Sequence, residues 1–250
     1  RVYAQFQNSR FCPFFLKAQE IIESGVLGRI VHCRLSWSGW SRRWDWQTRQ
    51  DLWGGNLNNT GPHPMDHAVM LFGPKQPKVF ARMKSTEKFF GDAEDFASVT
   101  LYGGRFDPVV EVLVSSCLAY PQGDQLSVNG TCGGLTGGNA GLKWKYFDPA
   151  KAPDHKLHKG WSIDRQYVKE KLPWKEKTWS TGESEYNFDG RSQMFYDNVH
   201  EVITAKGKLL VTPAQVRRQV YVLEEAHRQN PLPKGAKKWA ALKKRKRARR

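Results

Sequence analysis

Apolar and polar positions along this chain recur with two different periods, and the changes of period mark its elements. Residues 1–6, Arg1-Val2-Tyr3-Ala4-Gln5-Phe6, read as a short strand. Phe14, Ala18, Ile21 and Ile22 then fall on one helical face, entered by Pro13 and ended by Gly25. A two-residue period follows from Arg29 to Trp37, with Val31, Cys33, Leu35 and Trp37 directed inward. The loop from Ser38 to Leu57 is dense in aromatic and charged residues. Helical spacing then returns at Met65, Ala68, Val69 and Phe72, with Thr60 as the expected N-cap, Pro62 at the first helical position and Gly73-Pro74 as the stop.

Beyond this helix, alternation predicts strands at residues 78–86, 96–102, 109–118, 125–130 and 142–147, separated by turn-forming Gly, Pro and Asp. Their short connections favour antiparallel pairing. The glycine cluster from Gly130 to Gly138 reads as a turn between strands. Residues 148–190 interleave charge with aromatic residues and read as an excursion ending in another strand. Two helices close the chain. Phe195, Val199, Val202 and Ile203 define the first; the second opens on the capping box Thr212-Pro213-Ala214-Gln215 and is expected to bury Val216, Val220, Leu223 and Ala226. Helices flanking a block of strands are the α+β pattern.

Composition narrows the partners. The chain has 250 residues, 39% of them hydrophobic, enough for one large core or two small ones. It contains no run approaching the roughly 18 apolar residues of a membrane span. Ten Lys or Arg and no acid lie between Lys234 and Arg250, so that tail carries ten units of the formal charge of +16 and leaves +6 for the rest. Such a self-repelling segment is expected to be disordered, with a capacity for non-specific binding of nucleic acid or an anionic surface. Cys12, Cys33, Cys117 and Cys132 form no Cys-x-x-Cys pair, no His-x-x-x-His occurs, and the cysteines read as small hydrophobes of a reducing compartment. No metal site is predicted. Most of the ten tryptophans are expected to pack in the core or on the sheet.

The candidate chemistry lies in Gly54-Gly55-Asn56-Leu57-Asn58-Asn59-Thr60-Gly61-Pro62-His63-Pro64-Met65-Asp66. An amide-rich turn delivers His63 to a helix N-terminus, where the partial positive charge disfavours imidazolium and keeps the ring neutral near pH 7. Asp66, three residues on, is placed to orient it. The same residues are equally compatible with a polar histidine and an acid that merely complements the helix dipole.

The order of these pieces resembles the Gfo/Idh/MocA oxidoreductases over about residues 2–228. The opening strand with Gln7-Asn8-Ser9-Arg10-Phe11, the helix ending in Ile22-Glu23-Ser24-Gly25-Val26-Leu27-Gly28, Asp45-Trp46-Gln47, and Gly54-Gly55 through Gly61-x-His63-x-x-Asp66 follow one another as in that family. Asn129 to Leu135 is similar to its glycine turn, and Gly207 to Val222 to its closing helix.

The resemblance implies an open, mostly antiparallel sheet flanked by helices, as in the C-terminal domain of glyceraldehyde-3-phosphate dehydrogenase, covering a nicotinamide held by a separate Rossmann domain. It implies NAD or NADP as cofactor, a sugar, inositol or related polyol as substrate, and homo-oligomers formed through the sheet face. Residues 1–8 would be the last strand or linker of the dinucleotide domain, 9–230 the substrate domain and 231–250 the basic tail. Without the glycine fingerprint and the family's Glu-Lys-Pro lysine the chain is expected to be inactive alone, as part of a cytoplasmic dehydrogenase. His63 matches the family's catalytic histidine, Asn59 stands where many members carry aspartate, and Asp66 matches the acid of the motif. Arg10, Trp46 and Gln47 match positions near the cofactor, and Arg43 one near the substrate. Two alternatives stay open: a non-catalytic carbohydrate-binding module, suggested by the tryptophans, and a nucleic-acid-binding protein acting through the tail.

Overall fold

Eight strands share one sheet in the computed structural model, which describes residues 1–86, 90–120, 123–157, 159–161, 170–182, 188–205 and 207–235. In chain order they are β1 (Ile30–Ser38), β2 (Lys78–Lys84), β3 (Phe96–Tyr102), β4 (Val109–Ser115), β5 (Leu126–Gly130), β6 (Gly133–Gly138), β7 (Gly141–Tyr146) and β8 (Lys175–Ser180). They lie side by side as β2-β3-β4-β1-β5-β6-β7-β8. Only β1 and β4 run parallel, with Leu35 opposite Val112; the other neighbours are antiparallel. The expected α+β class with a mostly antiparallel open sheet is therefore observed.

Alternation sorts the two faces of the sheet. Cys33, Leu35, Ala81, Met83, Ala97, Val99, Leu101, Val110, Val112, Val114, Leu126 and Val128 are buried on one face, while Val31, Phe80, Tyr102 and Val109 are exposed. Val31 was expected inward; it lies out of phase with buried Cys33 and Leu35 because β1 is irregular between Ile30 and His32. Helices α1 (Pro13–Glu23), α3 (Pro62–Phe72) and α5 (Pro213–Gln229) cover the buried face. Phe14, Phe15, Ala18 and Ile21 from α1 and Met65, Ala68, Val69 and Phe72 from α3 complete the core. Short α2 (Asn56–Asn59) precedes α3, and α4 (Phe188–Thr204) packs Phe195 on Phe11 in a satellite cluster.

Four expectations need correction. Residues 1–7 form no strand, since a strand needs a hydrogen-bonding neighbour and no strand among the described residues lies beside them; a 3-10 turn at Asn8–Phe11 follows. The glycine cluster is itself a strand, β6. A Cβ at Gly133 would lie 2.3 Å from the Lys145 carbonyl oxygen, and Gly137 has φ +149°, so glycine is what admits this strand between its neighbours. In α5 the capping box is present, but the buried residues are Gln219, Val222 and Ala226, with Val220 exposed. Gln219 faces inward because it donates to the Pro62 carbonyl (2.6 Å) and accepts from Gln7 (2.8 Å). Finally, Trp40, Trp44, Trp46, Trp53, Trp161 and Trp174 are exposed, most of them on the loop after β1, which no second layer covers. The basic tail beyond residue 235 lies outside the described residues. Among those residues no helix is long and apolar enough to cross a membrane.

Candidate functional site

A parallel strand pair needs a crossover, and the crossover from β1 to β4 contains the whole candidate motif. The loop is organised by local capping: Asp45 accepts from the Gln47 N–H (3.1 Å) at the start of a 3-10 turn, Trp46–Thr48. A second 3-10 turn, Gln50–Leu52, leads to Trp53 in the left-handed conformation and Gly55 at φ +115°. Asn56 then anchors α2 by donating to the Asp95 carbonyl (3.0 Å) and to Ser116 Oγ (2.9 Å). Thr60 is the C-terminal residue of α2 rather than the N-cap of α3; Gly61 occupies that place, where a Cβ would lie 2.3 Å from the Leu57 carbonyl oxygen. Two helices fused through a glycine thus replace the expected turn.

His63 is half-buried, with its ring stacked on Trp37 at a centroid distance of 5.8 Å and an interplanar angle of 29°. Its Nδ1 is buried and has no hydrogen-bond partner among the described residues, and the same holds for Trp37 Nε1 and for Nε of Arg191 on α4. Unsatisfied buried polar atoms are rare, so three around one site call for a ligand or water. Burial, followed by the positive charge of Arg191, holds the His63 imidazole below its ordinary pKa, against the opposing pull of Asp66. The ring is neutral near pH 7 as expected, but desolvation and an arginine, rather than the helix dipole, account for it.

Asp66 does not orient His63 through a hydrogen bond. Both of its oxygens are taken by Arg10, with Nε–Oδ2 at 2.8 Å and Nη2–Oδ1 at 2.5 Å, and both side chains are buried. Arg10 also donates from Nη1 to the Leu210 carbonyl (3.0 Å) and Gln215 Oε1 (2.7 Å). The expectation that Arg10 meets the cofactor is thereby corrected: its donors are used in joining α3 to the start of α5. Asn59 donates to Gln47 Oε1 (2.9 Å), so these two amides hold each other beside the motif. Arg43 pairs with Asp45 (2.7 Å), and Trp46 projects into solvent.

A cavity of about 610 Å³ opens at the C-terminal ends of β1 and β4; His63 does not line it but stacks on Trp37, which does. Trp37, Ser36 and Ser115 come from the strands, Asn56 and Thr60 from α2 and its end, and Arg191 from α4. None of the site residues expected from the sequence, His63, Asn59, Asp66, Arg10, Arg43, Trp46 and Gln47, is among its lining residues. Trp37 was legible as an inward strand residue, but no sequence signal marked Arg191, which reaches the site only through tertiary packing.

Glu94, also unanticipated, controls the approach to α2. It is buried, accepts from the Leu57 N–H (2.9 Å), and lies so near Gly55 that a Cβ there would be 2.2 Å from its carboxylate. Burial pushes its pKa from the ordinary 4.5 up to about 7. A carboxyl whose folded pKa exceeds its unfolded value stabilises the fold below pH 4.5, and this contribution is lost as pH rises toward 7. Glu94→Gln, which keeps the acceptor and removes the charge, is expected to equal the native chain in urea unfolding near pH 4.5 and exceed it by about 1–3 kcal/mol near pH 8. Equal stability at both pH values would contradict this.

Residues 15–136 match the family model described as the GFO/IDH/MocA C-terminal domain. The mouse glucose-fructose oxidoreductase domain-containing protein 1 is 29% identical over 82 residues, 32% of this chain and 21% of that one. An uncharacterized oxidoreductase of Synechocystis is 29% identical over 72 residues, 27% of this chain and 19% of its own. The same fold occurs in an oxidoreductase from Bacillus cereus (TM-score 0.67, 18% identity, 91% of this chain and 64% of that one). It recurs in one from Agrobacterium radiobacter in complex with NAD+, L-tartaric acid and magnesium (TM-score 0.63, 15% identity, 92% and 64%). The matches span about a fifth of these curated relatives and under two thirds of these solved chains. Over residues 15–136 this chain is therefore similar to the C-terminal domain of the GFO/IDH/MocA oxidoreductase family.

Proposed function

We propose that this chain is the substrate-binding part of an NAD(P)-dependent oxidoreductase acting on a polyol, with His63 as the group that takes the hydroxyl proton. The observation that carries the reading is a neutral imidazole whose Nδ1 has no partner among the described residues, stacked on the Trp37 that lines a cavity of hydroxyls and amides. When bound, a nicotinamide accepts hydride from the carbon bearing that hydroxyl. Two groups of this chain fit such a cofactor and substrate: the indole of Trp37 offers an apolar face and an N–H without a partner among the described residues, and His63 an acceptor. The dinucleotide would be held by a domain other than this one, since no Gly-x-Gly-x-x-Gly occurs in the 250 residues. The likeness of residues 15–136 to the family's C-terminal domain and the NAD+ and L-tartaric acid bound by the Agrobacterium protein agree with this reading. Self-association through the exposed sheet face, where Phe80, Tyr102 and Val109 lie, belongs to the same reading.

The test is an NMR titration of the His63 ring. The imidazole should titrate below pH 6.5, and saturating glucitol should shift both its resonances and the Trp37 indole N–H. Polyol binding that leaves both residues unshifted would place the substrate elsewhere.

A further inference from the structure

The arginines of this domain differ in how their charge is met. Arg10, Arg43, Arg49 and Arg228 are each paired with a carboxylate, and Arg29, Arg42, Arg82 and Arg105 each lie over a phenylalanine ring. Arg191 has neither arrangement among the described residues. It donates from Nη1 to the Cys12 thiol sulfur (2.9 Å), a weak acceptor, while its Nε is buried with no partner. Nε and Nη2 occupy the same edge of a guanidinium, the edge with which Arg10 grips Asp66.

Among the described residues, Arg191 is also the only charged one lining the cavity of Trp37, on which His63 stacks. The rest of the lining is neutral, and its polar groups include the hydroxyls of Ser36, Thr60 and Ser115 and the amides of Asn56, Gln125 and Asn139. A partly buried cation with an unused bidentate edge, in a cavity without a counter-charge among the described residues, is costly to keep without an anion opposite it. It stands three residues into the 17-residue α4, where the helix N-terminus adds positive potential.

We propose that the substrate is a polyhydroxylated carboxylate, an aldonate or uronate rather than a neutral polyol, and that Arg191 is the specificity-determining residue that binds its carboxylate through the Nε–Nη2 edge. The hydroxyls and amides of the lining receive the polyol part. This deepens the reading of the cavity as the substrate site and rests on it. Arg191 also depresses the His63 pKa, so a bound carboxylate would offset that charge and make the imidazole a better proton acceptor once substrate is present.

Isothermal titration calorimetry of the 250-residue chain with D-gluconate and with uncharged D-glucitol tests the idea. Gluconate should bind at least about tenfold more tightly. Arg191→Gln should bring gluconate to the glucitol level and leave glucitol unchanged, while Arg191→Lys should keep part of the preference; matching thermal unfolding of both variants excludes a folding defect. Equal affinities in the native chain, or a preference that survives Arg191→Gln, overturn the carboxylate assignment and leave the polyol cavity standing. Failure of both ligands to bind overturns the cavity reading and this inference with it. Binding of NADH that needs Arg191 while gluconate does not bind would assign the guanidinium to a cofactor phosphate and likewise overturn it.

Discussion

Asp66→Ala is expected to lower the unfolding free energy by about 3–5 kcal/mol, because it strands the buried Arg10 guanidinium without its counter-charge. The loss is large against the roughly 5–15 kcal/mol that a domain has in total. Arg10 would retain only the Leu210 carbonyl and Gln215 as partners. The contact it loses is the one joining α3, which carries His63, to the N-terminal 3-10 turn and, through Arg10, to the cap of α5. Urea denaturation gives the measurement. Replacing both charges with apolar residues, as in Arg10→Met with Asp66→Leu, should recover much of the loss, since that pair removes the uncompensated charge instead of exposing it. A loss below about 1 kcal/mol for the single variant would mean that the pair behaves as a surface ion pair. It would also reopen Arg10 as a cofactor ligand, whose removal should weaken dinucleotide binding and spare stability.

The second large effect is on turnover. With a dinucleotide-binding domain supplied ahead of residue 1, His63→Asn is expected to reduce kcat by about 10²–10⁴-fold with little change in KM, the signature of a lost proton acceptor. Asparagine roughly preserves the shape against Trp37 but cannot accept a proton at neutral pH. Asn59→Ala should be far milder, since Asn59 is engaged with Gln47 and reaches the site only through it. The pH profile of kcat/KM in the native protein should fall as His63 protonates, below its ordinary pKa of 6.5. If kcat of His63→Asn stays within about threefold of native, His63 is a packing residue and the proposed mechanism fails.

Legibility followed the range of the forces involved. The strand at residues 96–102 was read with its bounds because Ala97, Val99 and Leu101 alternate with polar neighbours, and the capping box at Thr212 because its two hydrogen bonds span three residues. Strand β6 was not read, because glycine has no side chain to carry a period and its strand character is imposed by β5 and β7 on either side. The inward face of α5 was missed for a related reason: Gln219 looks solvent-facing until Gln7 and Pro62 supply its partners.

The same division runs through the site. Local sequence alone determined that His63 opens a helix after a glycine- and amide-rich segment and that the strands form a mostly antiparallel α+β sheet, because turn chemistry and alternation act within a few residues; the neutral ring was expected from the helix dipole but rests on burial and Arg191. Only the tertiary structure decided that Asp66 belongs to Arg10, that Asn59 belongs to Gln47, and that Trp37 and Arg191 stand beside His63. Burial and charge pairing act between residues distant in the chain, and a guanidinium that looks like any other in sequence is distinguished only by whether a carboxylate lies opposite it.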